Sequence, residues 1–123
     1  MPRFGTIINC IDGRVQEPVA QWLRDTYGLD YIDVITEPGA DQVLAAQSEA
    51  ASQIREKVAL SVQRHASTVV ALSAHDDCAA NPVPKAEHLE QIRKGLQVIR
   101  FWNLPVTVVG LWVDEQRRVE VVA

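Results

Sequence analysis

Long apolar runs, basic clusters and abundant cysteine are all missing from this 123-residue sequence. No apolar stretch approaches the roughly 20 residues that a membrane-spanning helix needs, so the sequence predicts no membrane partner. Lys and Arg number 12 against 16 Asp and Glu, and no patch rich in Lys or Arg occurs, which argues against binding to nucleic acid. The N-terminal segment 1–10 lacks the layout of a signal peptide, and we therefore expect a cytoplasmic protein.

Cysteine occurs only twice, as Cys10 and Cys78. In a reducing compartment, two such cysteines are more often metal ligands or nucleophiles than partners in a disulfide. Hydrophobic residues make up 47% of the chain and charged residues 23%, and these proportions are typical of a folded globular protein. Because no repeat, linker or low-complexity segment divides the sequence, we expect one domain over residues 1–123.

Apolar runs alternate with segments of helical periodicity along the whole chain. Helices are predicted from about Pro18 to a stop at Gly28, over 41–65 with Asp41 as the cap, and from the loop 81–84 to about Asn103. The predicted strands cover 6–10, 30–36, 68–74, 106–113 and 118–122, the last two as a hairpin. Strands that alternate with helices predict a single-domain α/β fold with a mainly parallel sheet, flanking helices and one antiparallel edge strand.

The strands end in residues that can bind a metal ion. Cys10, Asp12 and Arg14 follow the first strand at alternating positions, and His75 and Cys78 follow the third. Because ligands of open α/β sheets bind at the carboxyl ends of the strands, we expect both groups to meet at one edge.

Two cysteines and one histidine supply three ligands for Zn²⁺. Three protein ligands with an open fourth position are typical of catalytic zinc, which lowers the pKa of water toward about 7 and generates hydroxide. Asp12 is predicted to orient that hydroxide. Arg14 is predicted to keep Asp12 ionised and turned away from the metal.

These two motifs, Cys-x-Asp-x-Arg and His-x-x-Cys, resemble those of the β-class carbonic anhydrases, and the segment 106–122 resembles the closing strand pair of that family. The resemblance covers nearly the whole chain. It implies a β-carbonic anhydrase-like fold and reversible hydration of carbon dioxide to bicarbonate by zinc-bound hydroxide. It also implies Cys10, His75 and Cys78 as zinc ligands and Asp12 and Arg14 as the catalytic pair.

The sequence departs from the family pattern at several points. Family members are usually longer, with N-terminal helices that embrace a partner subunit, whereas this chain starts directly at the first strand. Their Arg-Asn-Ala-Gly loop is replaced by the segment 36–40, in which only Gly39 and Ala40 agree, and Ala79 stands where a glycine is common. Two alternatives therefore stay open: a non-catalytic or regulatory zinc-binding module, and a hydrolase of COS or CS₂. A thiol redox protein is disfavoured because Cys10 and Cys78 do not form a C-x-x-C pair.

A homodimer or larger assembly is expected, with the helix from Asp41 and the loop after Gly39 as the contact surface.

The remaining polar and aromatic residues are assigned structural roles. His65 and His88 are predicted to be exposed on helices. Asp76 and Asp77 are interpreted as turn or helix-start residues, and the three tryptophans as core or interface residues (Trp22, Trp102 and Trp112).

Overall fold

Five strands form one sheet at the centre of the molecule, for which the computed structural model describes residues 1–123. The strands are β1 (Phe4–Asn9), β2 (Tyr31–Thr36), β3 (Val69–His75), β4 (Thr107–Val113) and β5 (Val119–Val121). They run in the order β2-β1-β3-β4-β5, and all neighbours are parallel except β4 and β5, which pair antiparallel. The predicted α/β fold with a mainly parallel sheet and one antiparallel edge strand is therefore confirmed.

Four helices cover the two faces of this sheet. The first helix packs on one face, in an apolar cluster that contains Ile7 of β1, and the other three helices pack on the opposite face around Ile8. Successive residues of a strand point to opposite faces, which explains why Ile7 and Ile8 belong to different clusters although both are fully buried. The helices are α1 (Gly13–Tyr27), α2 (Ala40–Ala46), α3 (Glu49–His65) and α4 (Lys85–Phe101).

The long helix predicted over 41–65 is two helices, and this part of the prediction is wrong. Gln47 adopts a left-handed conformation with φ of 49°, which ends α2, and Ser48 then stands at the N-cap of α3. The sequence gives no warning because the break contains neither glycine nor proline. Asp41 is not the cap either: Gly39 occupies that position, and the side chain of Asp41 is buried.

The first helix also begins earlier than predicted. Asp12 caps α1 through a hydrogen bond that its side chain accepts from the backbone N–H of Arg14, and Pro18 lies inside the helix. The predicted end is confirmed, since Gly28 takes the left-handed conformation that follows many helices. No helix has both the length and the apolar character needed to cross a membrane.

Chain order reverses between β1 and β3, because β2 lies on one side of β1 and β3 on the other. Such a switch point leaves a crevice at the carboxyl ends of the two strands, where α/β proteins bind ligands. Cys10 directly follows β1, and His75 is the last residue of β3. The fold therefore delivers both motifs to the two sides of this crevice.

Candidate metal centre

The segment from Cys10 to Arg14 is a tight turn between β1 and α1. The carboxylate of Asp12 accepts the N–H of Arg14 at 2.9 Å. The side chain of Gln16 reaches back from the first turns of α1 and donates to the carbonyls of Cys10 at 2.8 Å and Asp12 at 2.9 Å. These bonds hold the backbone of Cys10 and Asp12 in the conformation of this turn.

The chain also makes a tight turn within the second motif, directly after β3. Asp76 and Asp77 form a turn, as predicted, and Asp77 has a φ of 58°, in the left-handed region. The N–H of Asp76 donates to the carbonyl of Val113 at 3.0 Å, which extends the pairing of β3 with β4 by one residue. This turn brings Cys78 back toward the end of β1.

Cys10, His75 and Cys78 meet in one buried cluster. Their ligand atoms all lie within 4.8 Å of one another, and the two sulfurs are 3.9 Å apart. The exposed fractions of the three residues are only 5%, 3% and 4%. Two sulfurs bound tetrahedrally at about 2.3 Å from zinc stand about 3.8 Å apart, so the spacing suits such an ion.

The ring of His75 is oriented for binding a metal through Nε2. Its Nδ1 lies 2.8 Å from the carbonyl of Asp76, and because a carbonyl only accepts, Nδ1 carries the proton. Nε2 is then a bare acceptor, and it is the one buried side-chain nitrogen or oxygen that has no hydrogen-bond partner. A buried polar atom without a partner is costly, and a metal ion would satisfy it.

The surroundings of Cys78 disfavour its charged form. Burial, followed by the nearby Cys10, raises the pKa of the Cys78 thiol. Hydrogen bonding from the backbone of Asn81 and Ala80 acts in the opposite direction and lowers this pKa. A divalent cation would supply the charge that lets both sulfurs ionise.

Asp12 and Arg14 form a two-pronged ion pair beside this cluster. Nη2 of Arg14 lies 2.7 Å from Oδ2 of Asp12, and Nε lies 3.0 Å from Oδ1. Hydrogen bonding from the guanidinium holds the pKa of the Asp12 carboxyl far below its usual range, and the same bonds raise the pKa of Arg14. Oδ2 of Asp12 also lies 4.0 Å from Nδ1 of His75, so the carboxylate borders the cluster without joining it.

Arg14 further connects the two motifs, a role that the sequence did not reveal. Its Nη2 donates to the backbone carbonyl of Asp77 at 3.0 Å, and its Nη1 lies 3.3 Å from the carboxylate of the same residue. One side chain after β1 therefore contacts both Asp12 and the turn after β3.

The prediction that His88 is exposed is wrong. Its exposed fraction is 1%, and Nδ1 lies 2.7 Å from Oδ2 of Asp41, which is itself 2% exposed. His88 lies four residues before Ile92 and so continues the apolar stripe of α4, a signal that could have identified it as buried. His65, in contrast, is about half exposed, as predicted.

Comparison with known proteins identifies the family of this chain. The family model described as "Putative carbonic anhydrase" matches residues 1–123. No curated protein matches the chain in sequence.

Two solved structures resemble the fold at low sequence identity. One is from the tetrameric β-carbonic anhydrases of the filamentous ascomycete Sordaria macrospora, with a TM-score of 0.58, 14% identity, and coverage of 99% of this chain and 81% of that chain. The other is the β-carbonic anhydrase CafA of the fungal pathogen Aspergillus fumigatus, with a TM-score of 0.54, 13% identity, and coverage of 98% and 74%. Because the family model spans the whole chain and the fold is that of these enzymes, the protein belongs to the carbonic anhydrase family, as its motifs predicted.

Proposed function

We propose that this protein is a zinc-dependent carbonic anhydrase that interconverts carbon dioxide and bicarbonate. The observation that carries the proposal is the bare, buried Nε2 of His75 beside the sulfurs of Cys10 and Cys78. These three atoms are the donor set that suits zinc with one position left open. A zinc ion held there would supply hydroxide at neutral pH by lowering the pKa of bound water.

The role that we assign to Asp12 is to hold and orient the attacking oxygen. Arg14 keeps the carboxylate ionised, and an ionised carboxylate can only accept a hydrogen bond. An O–H group near Oδ2 of Asp12 would therefore point its hydrogen at that oxygen and leave a lone pair for carbon dioxide. Addition of hydroxide to the carbon gives bicarbonate directly, and the proton released from water passes to the solvent.

The assignment to a reducing compartment such as the cytoplasm belongs to the same proposal. Both sulfurs must be thiols or thiolates to bind a metal, and they lie only 3.9 Å apart. Oxidation to a disulfide would remove two of the three ligands.

Initial rates of carbon dioxide hydration, followed by a pH indicator in a stopped-flow instrument, test the proposal. Protein of known zinc content should accelerate hydration in proportion to that content. The variant Cys78→Ser provides the control, because it should lose both zinc and activity. Zinc-loaded protein that hydrates carbon dioxide no faster than buffer would refute the enzymatic function.

A second function, a non-catalytic zinc-binding module, is favoured by one observation. All three ligand residues are at most 5% exposed, which leaves a substrate little open surface at the cluster within one chain. The same assay separates the two functions, because a module of this kind would bind zinc tightly and remain inactive.

A further inference from the structure

A buried polar cluster anchors the loop that follows Cys78. We call it the Asp41 cluster, and it consists of Asp41 from α2, Asn81 from the loop, and His88 and Gln91 from α4. Asp41, Asn81 and His88 are each at most 2% exposed. Burying a carboxylate is costly unless it is fully paired, so a cluster of this kind needs a compensating role or compensating bonds.

The hydrogen bonds of the cluster converge on Asp41 and Asn81. Nδ1 of His88 lies 2.7 Å from Oδ2 of Asp41, and because the carboxylate accepts, Nδ1 is the donor. Nδ2 of Asn81 donates to Oε1 of Gln91 at 2.7 Å and approaches both carboxylate oxygens of Asp41 at 3.3 Å. The amide of Asn81 is therefore held from two helices at once.

Asn81 is also the residue through which the cluster reaches the candidate metal centre. It lies three residues after Cys78, in the loop that precedes α4. Because so few residues separate them, the anchored position of Asn81 restricts where the sulfur of Cys78 can lie, and groups that hold metal ligands in place strengthen metal binding.

The start of α2 closes against the same loop. Gly39 has a φ of 61°, and a Cβ at this position would lie 3.2 Å from Cβ of Asn81. Backbone from α2 therefore lies close to the loop, and little space is left for the loop to shift toward that helix.

We propose that Asp41 and His88 are positioning residues that act through Asn81 to hold the loop after Cys78 in place and so slow the release of the metal ion. The inference rests on the proposed function only in requiring that the chain binds a metal. Neither Asp41 nor His88 is assigned a contact with the metal or with the substrate.

Metal release from the intact chain tests this inference. Protein loaded with Zn²⁺ is mixed with an excess of a chromophoric chelator, and the rate of zinc transfer is measured for the wild type, Asp41→Asn and Asn81→Ala. Release from both variants should be at least tenfold faster, in keeping with the 10- to 100-fold effects of residues that support metal ligands. Loading with Co²⁺ adds a spectroscopic readout, because the absorption from thiolate to metal should shift in both variants.

A milder variant guards against loss of folding. Gln91→Ala removes one acceptor of the Asn81 amide and leaves Asp41 and His88 in place, so its release should be accelerated less but in the same direction. Circular dichroism of each metal-loaded variant establishes that it is folded.

Asp33→Asn is the matched control. Asp33 accepts Nδ1 of His65 at the same 2.7 Å, but the pair lies near the end of α3 and away from Cys78. Its substitution should leave the release rate unchanged.

The possible outcomes separate this inference from the proposed function. Folded Asp41→Asn and Gln91→Ala variants that release zinc at the wild-type rate would overturn the positioning role alone. A wild-type protein that binds neither Zn²⁺ nor Co²⁺ would overturn both proposals. An equal acceleration by Asp33→Asn would also overturn the positioning role, because it would reduce the effect to general destabilisation.

Discussion

The carboxylate of Asp12 both caps α1 and pairs with Arg14, and its two oxygens can accept only a few hydrogen bonds. Oδ1 accepts both the N–H and the Nε–H of Arg14, at 2.9 and 3.0 Å, and so it has no capacity left for a ligand. Oδ2 accepts from Nη2 of the same residue at 2.7 Å and more weakly from Nε at 3.2 Å, and it is the oxygen that faces His75, 4.0 Å from Nδ1. The capping of α1 and the ion pair together leave one oxygen of Asp12 to face the cluster.

At the level of residues, the variants Arg14→Ala and Asp12→Ala should both lose activity, but for different reasons. Without Arg14, the carboxylate of Asp12 is free to bind the open metal position, so activity should be lost while zinc stays bound. Without Asp12, zinc should also stay bound, but activity should fall on the order of 10- to 100-fold for want of the orienting acceptor. Titration with a small anion that binds the open position checks this, since the Asp12 variant should bind it and the Arg14 variant should bind it poorly.

The control for these two variants is Asp77→Asn, because asparagine tolerates the left-handed conformation of this position as aspartate does. It removes the exposed carboxylate that contacts Arg14 at 3.3 Å but leaves the backbone carbonyl that Arg14 also contacts. Exposed ion pairs contribute little, so zinc content and activity should stay near those of the wild type. Full activity in both the Asp12 and the Arg14 variants would reduce these residues to a structural ion pair.

At the level of elements, the break between α2 and α3 carries a conformational strain at Gln47. This exposed residue has a φ of 49° and makes no side-chain hydrogen bond. Left-handed conformations cost residues with a Cβ about 1–2 kcal/mol, whereas glycine adopts them freely. Gln47→Gly should therefore increase the free energy of unfolding by about 0.5–1 kcal/mol, measured by urea denaturation.

Replacing a glutamine by glycine inside a helix should instead lower the free energy of unfolding. Gln53 is exposed in the interior of α3, where glycine costs about 1 kcal/mol relative to good helix formers. Gln53→Gly should thus destabilise the protein. If Gln47→Gly also lowers the free energy of unfolding, the side chain of Gln47 stabilises the protein by more than its left-handed backbone destabilises it.

Sequence reasoning succeeded where single residues or strong periodicity decide the structure. The apolar runs before Cys10 and His75 could only be buried strands, and parallel strands bring their carboxyl ends to one edge. It failed at the left-handed Gln47, where neither glycine nor proline marks the break, and at the buried pair of Asp41 and His88. That pair depends on contacts between distant elements, since the two residues are 47 positions apart in the chain.

At the level of the whole molecule, a bound metal should stabilise the fold because its ligands come from two separate segments. Ligands that bind only the folded state add about 2.7 kcal/mol when present at 100 times their dissociation constant. Chelation should therefore lower the melting temperature of the wild type, measured by calorimetry. Cys78→Ser should melt at the same temperature with and without the chelator, and an equal response of both proteins would contradict a metal site at Cys78.

Assembly into a homodimer or larger oligomer is the remaining prediction at this level. Two large apolar side chains stand exposed on the helices that cover one face of the sheet, Leu60 on α3 at 61% and Phe101 on α4 at 87%. Association that buries such side chains between subunits removes apolar surface from water, which is favourable. We expect this chain to give a mass by light scattering of at least twice its 13.7 kDa.

Substitution of Leu60 tests where the subunits meet. A lysine there places a charge on the helical segment that the sequence predicts as the contact surface, and a desolvated, unpaired charge is costly, so Leu60→Lys should dissociate the oligomer. Thr26→Lys adds the same charge at an exposed position of α1, on the opposite face of the sheet, and should leave the mass unchanged. Equal masses for both variants would exclude α3 as the contact. A wild-type chain that stays monomeric at high concentration would contradict assembly itself, and any access of substrate to the buried ligands would then have to arise within one chain.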